Sequence, residues 1–181
     1  LIAVQMGPVS FDSAEIPMSG PRREVLNEQL AVDEQIFDFC AATVGNPHCV
    51  VLGIEPTPEN ARRYGPLIEC DERSPNRTNV QFMRVLDRNN IQIEIWERGA
   101  GYTLASGSSS TAAAAVAHKL GLCETAITVH MPGGQLEIEL DAGFQATMSG
   151  PVEKICEGKF SLEIIKLYEE VGNETTGNPI P

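Results

Sequence analysis

Alternating apolar and polar residues predict strands along most of the chain. Residues 91–95 (IQIEI) and 136–140 (LEIEL) place an apolar side chain at every second position, which is typical of a strand with one buried face. Apolar runs predict five more strands, at 37–44, 49–54, 80–86, 126–130 and 144–148. Short turns rich in Gly, Asp and Asn, such as Pro132-Gly133-Gly134, separate several of these runs. This spacing predicts antiparallel pairing and not a βαβ series.

Two helices are predicted between the strands. Thr57-Pro58-Glu59 combines a capping hydroxyl, a Pro at the first helical position and an acid near the positive end of the helix dipole, and we expect this helix to stop after Tyr64. The second helix covers residues 112–120 (AAAAVAHKL) and is closed by Gly121. Its small side chains allow close approach of other elements. The sequence therefore predicts an α+β fold in which a curled, barrel-like antiparallel sheet surrounds a central Ala-rich helix.

Composition and charge narrow the class of protein. The 181 residues carry 13 Lys and Arg against 25 Asp and Glu, a net charge of −12, which disfavours nucleic acid and anionic membranes as partners. No apolar run approaches the ~20 residues of a membrane span. We expect one domain over residues 1–160 and a partly disordered tail at 161–181, where polar and turn-forming residues accumulate.

The cysteines and histidines suggest reduced thiols and no metal site. The five Cys and three His form no CxxC or HExxH pattern, and we expect a cytoplasmic protein without a metal. Neither a phosphate loop nor a GxGxxG fingerprint is present, so no nucleotide cofactor is predicted. The chain opens at Leu1 without a Met or a charged leader, which suggests a portion of a longer protein.

The segment that leads into the Ala-rich helix has the features of an anion site. Residues 105–111 (ASGSSST) bring free backbone N–H groups, a Gly and several hydroxyls to the positive end of a helix dipole. Because nucleotide fingerprints are missing, a carboxylate is the favoured anion. The alternative is an ordinary serine-rich helix cap that binds only solvent.

Two further motifs carry candidate polar groups. Glu97-Arg98 follows the alternating strand at 91–95, and an Arg fork is suited to a carboxylate; the alternative is a surface ion pair. Asn46 and His48 lie in a Gly-Asn-Pro-His turn, where an amide offers donors and an acceptor and an imidazole titrates near neutral pH. Purely structural roles for this turn are the alternative.

Taken together, these motifs resemble the C-terminal half of diaminopimelate epimerases. Four motifs occur in the family's order: 45–48 (GNPH), 75–80 (PNRTNV), 96–99 (WERG) and 105–108 (ASGS). Residues 131–134 (MPGG) and 148–151 (MSGP) resemble the family's later strands and turns. The resemblance implies one lobe of a two-lobed, cofactor-independent amino-acid epimerase or racemase of lysine and peptidoglycan biosynthesis, with a Cys thiolate from each lobe acting on the α-carbon. It also implies that no pyridoxal phosphate is used, and a homodimer is expected.

The resemblance assigns roles to individual positions. Asn46 and Asn79 would bind polar groups of the substrate, and Gly107 and Ser108 would contact its carboxylate. Glu97 and Arg98 would bind substrate and tune the site, and His48 would adjust the pKa values of the catalytic pair.

The chain departs from the family at the catalytic position itself. Ser106 stands where the family has its second catalytic Cys. A thiol has a pKa near 8.5, which a helix N-terminus can lower further, whereas a hydroxyl is far less acidic. The N-terminal lobe with the first Cys is also missing, so we expect this chain alone to be inactive. The alternative function is that of a fold relative acting as a lyase or dehydratase, or as a non-catalytic amino-acid-binding protein.

Overall fold

A computed structural model describes residues 1–164 of the chain, so the part of the predicted tail beyond residue 164 lies outside the described residues. The strands and helices named below belong to one compact unit, Leu1–Pro151. In chain order they are β1 (Ile2–Pro8), β2 (Glu28–Val32), β3 (Gln35–Thr43), β4 (Pro47–Leu52), α1 (Pro58–Glu69), β5 (Asn79–Asp87), β6 (Asn90–Glu97), β7 (Gly101–Thr103), α2 (Gly107–Lys119), β8 (Ala126–Met131), β9 (Gly134–Leu140) and β10 (Gln145–Gly150).

The strands form one sheet in the order β1-β10-β9-β8-β6-β5-β4-β3-β2, with β7 paired to β6. This confirms the α+β class and the seven predicted strands, each within a few residues of its predicted bounds. The edge strands β1 and β2 and the short β7 were not predicted. The segment after β1 also reaches the other half of the sheet, because Ser10 forms an isolated bridge with Thr43 at the end of β3.

Pairing differs from the prediction at two places in the described sheet. Most neighbours are antiparallel, but β4 pairs parallel to β5 and β6 pairs parallel to β8. In both cases a helix lies in the connection, α1 in the first and α2 in the second. A parallel pair needs such a long crossover. The short turns that suggested a wholly antiparallel sheet join only the other strands.

Alternation along β3, β4 and β5 divides their side chains between two cores. Phe39, Val51 and Phe82 pack in one cluster with Ala61, Tyr64 and Ile68 of α1. The neighbouring residues Cys40, Val50 and Met83 point to the other face and pack with α2. Because successive side chains of a strand face opposite sides, the two helices cover opposite faces of the same strands.

The Ala-rich helix is buried as the sequence predicts. Residues 112–117 of α2 are fully buried. The helix contacts seven strands that range across the sheet from β3 to β10, so the sheet curls around it. Gly121 has a φ of +71°, the left-handed conformation that commonly ends a helix.

The first helix is longer than predicted. It does not stop at Gly65 but continues through Pro66 to Glu69. A Cβ at residue 65 would lie 2.5 Å from Cβ and Cγ of Trp96, so Gly65 is needed for close contact with β6 and not for a helix end. Burial of Ile68 in the same core stabilises the last turn. Within residues 1–164, no helix is long and apolar enough to cross a membrane.

Candidate functional site

The N-terminus of α2 presents backbone donors without a side-chain cap. Ser106 is the N-cap residue, with extended φ and ψ of −155° and 125°, and its hydroxyl makes no capping hydrogen bond. The first turn of α2 contains no acidic residue. The hydroxyls of Ser110 and Thr111 donate back to the carbonyls of Ser106 and Gly107, at 2.8 and 2.9 Å. The positive end of the dipole is therefore left unneutralised by the helix's own side chains.

An open cavity of about 260 Å³ lies at this helix end. Ser106 and Gly107 line it together with the β8–β9 turn. The backbone N–H of Gly133 donates to the carbonyl of Leu104 at 2.8 Å, and a Cβ at residue 133 would lie 2.9 Å from that oxygen. Gly133 thus allows the turn to approach the segment that feeds α2, which gives the cavity its wall.

His48 is connected to the first turn of α2 by a buried chain of hydrogen bonds. Its Nε2 lies 3.0 Å from Oδ1 of Asn46, and its Nδ1 lies 3.1 Å from Nε2 of Gln81. Gln81 Nε2 also donates to Oγ of Ser109 at 3.1 Å. His48, Gln81 and Ser109 are each 0% exposed. The Gly-Asn-Pro-His turn and the start of α2, distant in sequence, therefore belong to one network.

Burial sets the protonation state of His48. Desolvation lowers its pKa to about 3, Gln81 opposes the shift through its hydrogen bond, and the positive charge of Arg98 adds to it. The imidazole is consequently neutral at physiological pH. This rules out a permanently charged His48 as a partner for an anion.

Asn79, in the second motif, joins the first motif to the third. Its Nδ2 donates to the carbonyl of Pro47 at 2.9 Å, and its Oδ1 accepts from the backbone N–H of Arg98 at 3.0 Å. The side chain of Arg98 is held in turn by the carbonyl of Asn76, at 3.0 Å from Nη1. In this structure Asn79 therefore aligns the start of β4 with the end of β6.

A carboxylate that the sequence did not single out holds the same turn. Glu69, at the end of α1, is 6% exposed. It accepts from the indole N–H of Trp96 at 2.7 Å and from the backbone N–H of Gly99 at 3.0 Å. Nη1 of Arg77 lies 3.5 Å from Oε1 of Glu69, the oxygen that also accepts from Gly99. Glu69 thus fixes both sides of Glu97-Arg98 without itself belonging to a motif.

The remaining predicted site residues, Glu97 and Ser108, make fewer hydrogen bonds to the other motifs. Glu97 is half-buried and accepts from the hydroxyl of Thr103 at 3.2 Å. Ser108 is half-buried in the first turn of α2. Among the described residues, no hydrogen bond joins Glu97 or Arg98 to residues 106–108. The side-chain hydrogen bonds of the motifs therefore form two networks, one around His48 that reaches the first turn of α2 and one around Asn79 that reaches Arg98.

No individual role was predicted from the sequence for Gln81, Ser109 or Glu69, although Ser109 lies within the predicted anion-site segment 105–111. The signal for Gln81 is a polar residue in the apolar run 80–86, at a position that faces α2. Glu69 had no comparable signal, since the helix was expected to end before it.

Comparison with known proteins identifies the family. The family model for diaminopimelate epimerase matches residues 40–155, which include every motif described above. The chain belongs to the diaminopimelate epimerase family. Diaminopimelate epimerase 2 of Nostoc sp. is 57% identical over 166 residues, and the match covers 92% of this chain and 58% of that protein. Diaminopimelate epimerase of Desulforudis audaxviator is 41% identical, with coverage of 88% and 58%. The chain therefore spans little more than half the length of these relatives.

Solved structures of epimerases share the fold. A hydroxyproline epimerase from Agrobacterium vitis matches with a TM-score of 0.54 and 19% identity, covering 81% of this chain and 48% of that one. A probable proline racemase from Agrobacterium radiobacter matches with a TM-score of 0.58 and 14% identity, with coverage of 88% and 53%. At these identities the matches support the fold alone.

Proposed function

We propose that this chain is the C-terminal half of an amino-acid epimerase that interconverts LL- and meso-diaminopimelate, a step of lysine and peptidoglycan precursor biosynthesis. Its family membership and its 57% identity to a named diaminopimelate epimerase support this substrate. The single observation that carries the proposal is the start of α2, where the N-cap residue Ser106, whose side chain makes no capping hydrogen bond, borders an open cavity.

The helix end is proposed to bind the α-carboxylate of the substrate. Gly107 and Ser108 supply backbone N–H groups at the positive end of the dipole, and an anion there would complete the hydrogen bonding of the first turn. This binding also favours loss of the α-proton, because negative charge that develops on the carboxylate side of the carbanion lies against these donors.

Proton transfer requires one group on each face of the α-carbon. In the proposed reaction, a base removes the α-proton from one face and an acid on the opposite face returns a proton to the carbanion, so the configuration inverts. Ser106 occupies the position of one of these groups. The other would come from the N-terminal lobe, which makes that lobe a required partner of this chain.

The hydroxyl of Ser106 limits the rate of this step. A helix N-terminus lowers the pKa of a thiol enough to give thiolate at neutral pH. A hydroxyl begins from a far higher pKa and stays protonated there, so Ser106 serves better as a proton donor than as a base. We therefore propose that epimerisation by the native site is slow in both directions, because a catalyst changes the forward and reverse rates by the same factor.

The other side chains of the motifs are proposed to bind and orient the substrate. Asn46, Asn79 and Arg98 would face its polar groups, and Glu97 would tune the site electrostatically. His48, neutral because of its burial, would adjust the acidity of the group contributed by the other lobe. We further propose that the protein acts in the cytoplasm, uses no pyridoxal phosphate and forms a homodimer, as expected for the family.

Ser106 also favours a second candidate function. A site that retains the carboxylate-binding helix end but lacks the thiol is suited to binding an amino acid, or to a lyase or dehydratase reaction in which only one base is needed. The two functions differ in whether the α-carbon inverts.

The test uses this chain joined to the part of the Nostoc relative that it does not match. The joined protein is incubated with LL-diaminopimelate in deuterated water, and both α-deuterium incorporation and the appearance of the meso isomer are followed. Epimerase function predicts both, and it predicts neither for proline. Binding without incorporation would support the second candidate, and incorporation into proline instead of diaminopimelate would overturn the proposed substrate.

A further inference from the structure

Gln81 occupies the centre of the buried network that joins His48 to α2. Its Nε2 has two N–H bonds and two acceptors, His48 Nδ1 and Ser109 Oγ, both at 3.1 Å. Its Oε1 has no hydrogen-bond partner among residues 1–164, although the atom is buried. A buried polar group without a partner is rare enough in folded proteins to need an explanation.

The unpaired oxygen identifies which way the amide points. If the amide were rotated by 180°, Oε1 would accept hydrogen bonds from His48 and Ser109, and the buried NH₂ group would be left with two unpaired donors. One unpaired acceptor is less costly than two unpaired donors. The orientation with Nε2 toward His48 is therefore the favoured one.

This orientation determines the tautomer of His48. Since Gln81 donates to Nδ1, that nitrogen must carry a lone pair, and the proton of the neutral ring must lie on Nε2. Nε2–H then donates to Oδ1 of Asn46 at 3.0 Å. The oxygen of Asn46 is thereby engaged, and no described residue accepts a hydrogen bond from its Nδ2.

We propose that Gln81 is a positioning residue that fixes the Nε2–H tautomer of His48 and so leaves the NH₂ group of Asn46 available to a substrate carboxylate. The inference rests on the proposed function for the identity of that ligand, but the tautomer is a property of the chain itself. Asn46 is half-buried at the end of the network, where an amide with its oxygen engaged offers only donors. Such a site selects a carboxylate oxygen over an ammonium group.

A second trio of Gln, His and Asn, in which Gln135 is exposed, provides a matched control. Gln135 Nε2 lies 2.9 Å from Nδ1 of His130, and His130 Nε2 lies 2.8 Å from Oδ1 of Asn90. The same three residue types are thus arranged in the same order, but apart from the hydrogen bonds that join His48 to α2. Gln135→Glu makes the same chemical change there as Gln81→Glu makes beside His48.

The experiment records imidazole ¹⁵N spectra of the 181-residue chain at neutral pH, with the three histidines assigned by single substitution. We expect His48 to show a protonated Nε2 and an unprotonated Nδ1. In Gln81→Glu the new carboxylate accepts a hydrogen bond where the amide donated one, so the proton of His48 should move to Nδ1, whereas Gln135→Glu should leave the His48 signals unchanged. A protonated or averaged Nδ1 in the unsubstituted chain overturns the proposal, and so does a Gln81→Glu variant in which Nδ1 stays unprotonated.

A second measurement tests the consequence for Asn46. Diaminopimelate is titrated into the ¹⁵N-labelled chain, and the side-chain NH₂ signal of Asn46 is followed. The proposal predicts a shift of that signal in the unsubstituted chain and a shift reduced at least several-fold in Gln81→Glu. An equal shift in both overturns the part of the proposal that concerns Asn46. The spectra that report the tautomer are recorded without ligand or turnover. Failure of the tautomer assignment can therefore be distinguished from failure of the proposed epimerase function.

Discussion

The side-chain oxygen of Asn79 accepts a hydrogen bond from the backbone N–H of Arg98 at 3.0 Å. Nδ2 of the same amide donates to the carbonyl of Pro47. One buried side chain at the start of β5 thus fixes the distance between the Gly-Asn-Pro-His turn and the Glu97-Arg98 turn. The two turns lie about 50 residues apart in the sequence. They are held together because the side-chain amide of Asn79 can donate to one of them and accept from the other at once.

Asn79→Ala should therefore destabilise the protein. Both backbone groups lose their partner, and burial keeps water from replacing it, so we expect the free energy of unfolding to fall by about 1–3 kcal/mol. Urea denaturation measures the change. Asn76→Ala is the matched control, because Asn76 is exposed and contributes its backbone carbonyl to Arg98. Equal stabilities of the two variants would contradict the bridging role of Asn79.

Gly65→Ala should destabilise the protein although Ala is the better helix former. The added Cβ would lie 2.5 Å from Cβ and Cγ of Trp96, atoms that cannot move without shifting β6 or breaking the hydrogen bond between Trp96 and Glu69. Overpacking of this kind costs about 1–3 kcal/mol or more, against a gain of about 1 kcal/mol in helix propensity. We expect a net loss in the same urea assay.

Gly158→Ala serves as the comparison for Gly65→Ala, since a Cβ at residue 158 would meet no atom of residues 1–164 within 4 Å. It should change the free energy of unfolding by less than about 0.5 kcal/mol, as is usual at the surface. If Gly65→Ala were equally neutral, close packing of α1 on Trp96 would not be the reason that the helix passes through Gly65-Pro66.

Stability should depend on pH through His48. The folded-state pKa of about 3 lies below the ordinary value of 6.5, so between these limits the unfolded chain binds a proton that the folded chain does not. Stability is then fully present above pH 6.5 and falls as the pH is lowered toward 3, by up to about 1.4 kcal/mol per pH unit. His48→Gln removes this contribution, so its stability should fall less steeply over the same range.

Comparison of the two pH profiles isolates the effect, because the carboxylates that also titrate there are common to both proteins. Parallel profiles for the unsubstituted chain and His48→Gln would show that His48 takes up its proton as readily when folded as when unfolded. That result would contradict its burial as a neutral imidazole.

The 181-residue chain alone should not exchange an α-proton of diaminopimelate with deuterated water above the uncatalysed blank. It carries a hydroxyl at the proposed acid–base position, and the group proposed for the opposite face of the α-carbon would come from the other lobe. Proton NMR of diaminopimelate follows the loss of the α-proton signal. Exchange above the blank would mean that one face of the substrate is served by a residue within this chain that we have not identified.

Much of the fold follows from the sequence because its signals are local. Alternation at 91–95 and 136–140 depends only on neighbouring residues, and β6 and β9 form there. The Ala run likewise predicts both the helix and its burial, since small side chains permit close packing on every side. The parallel pairs β4–β5 and β6–β8 are not local, because they depend on which strands the two crossover helices bring together.

The site divides in the same way. Ser106, Asn46 and Arg98 stand in turns and at element ends, where polar residues are visible against apolar strands. Gln81 and Glu69 lie within elements, and their roles depend on partners 28 to 33 residues away for Gln81 and 27 to 30 for Glu69. A polar residue buried within an element reveals its function only when its partners are known in three dimensions.

Ser106→Cys tests most directly whether the start of α2 is the position from which a proton is transferred. The substitution is made in this chain joined to the unmatched part of the Nostoc relative, and α-deuterium incorporation into diaminopimelate is compared for the Ser and Cys forms. A thiol at this helix end is partly ionised at neutral pH, so we predict that the Cys form exchanges at least about a hundredfold faster, a difference of about 2.7 kcal/mol in activation free energy. Equal rates in the two forms would contradict the assignment of this helix end as the acid–base position.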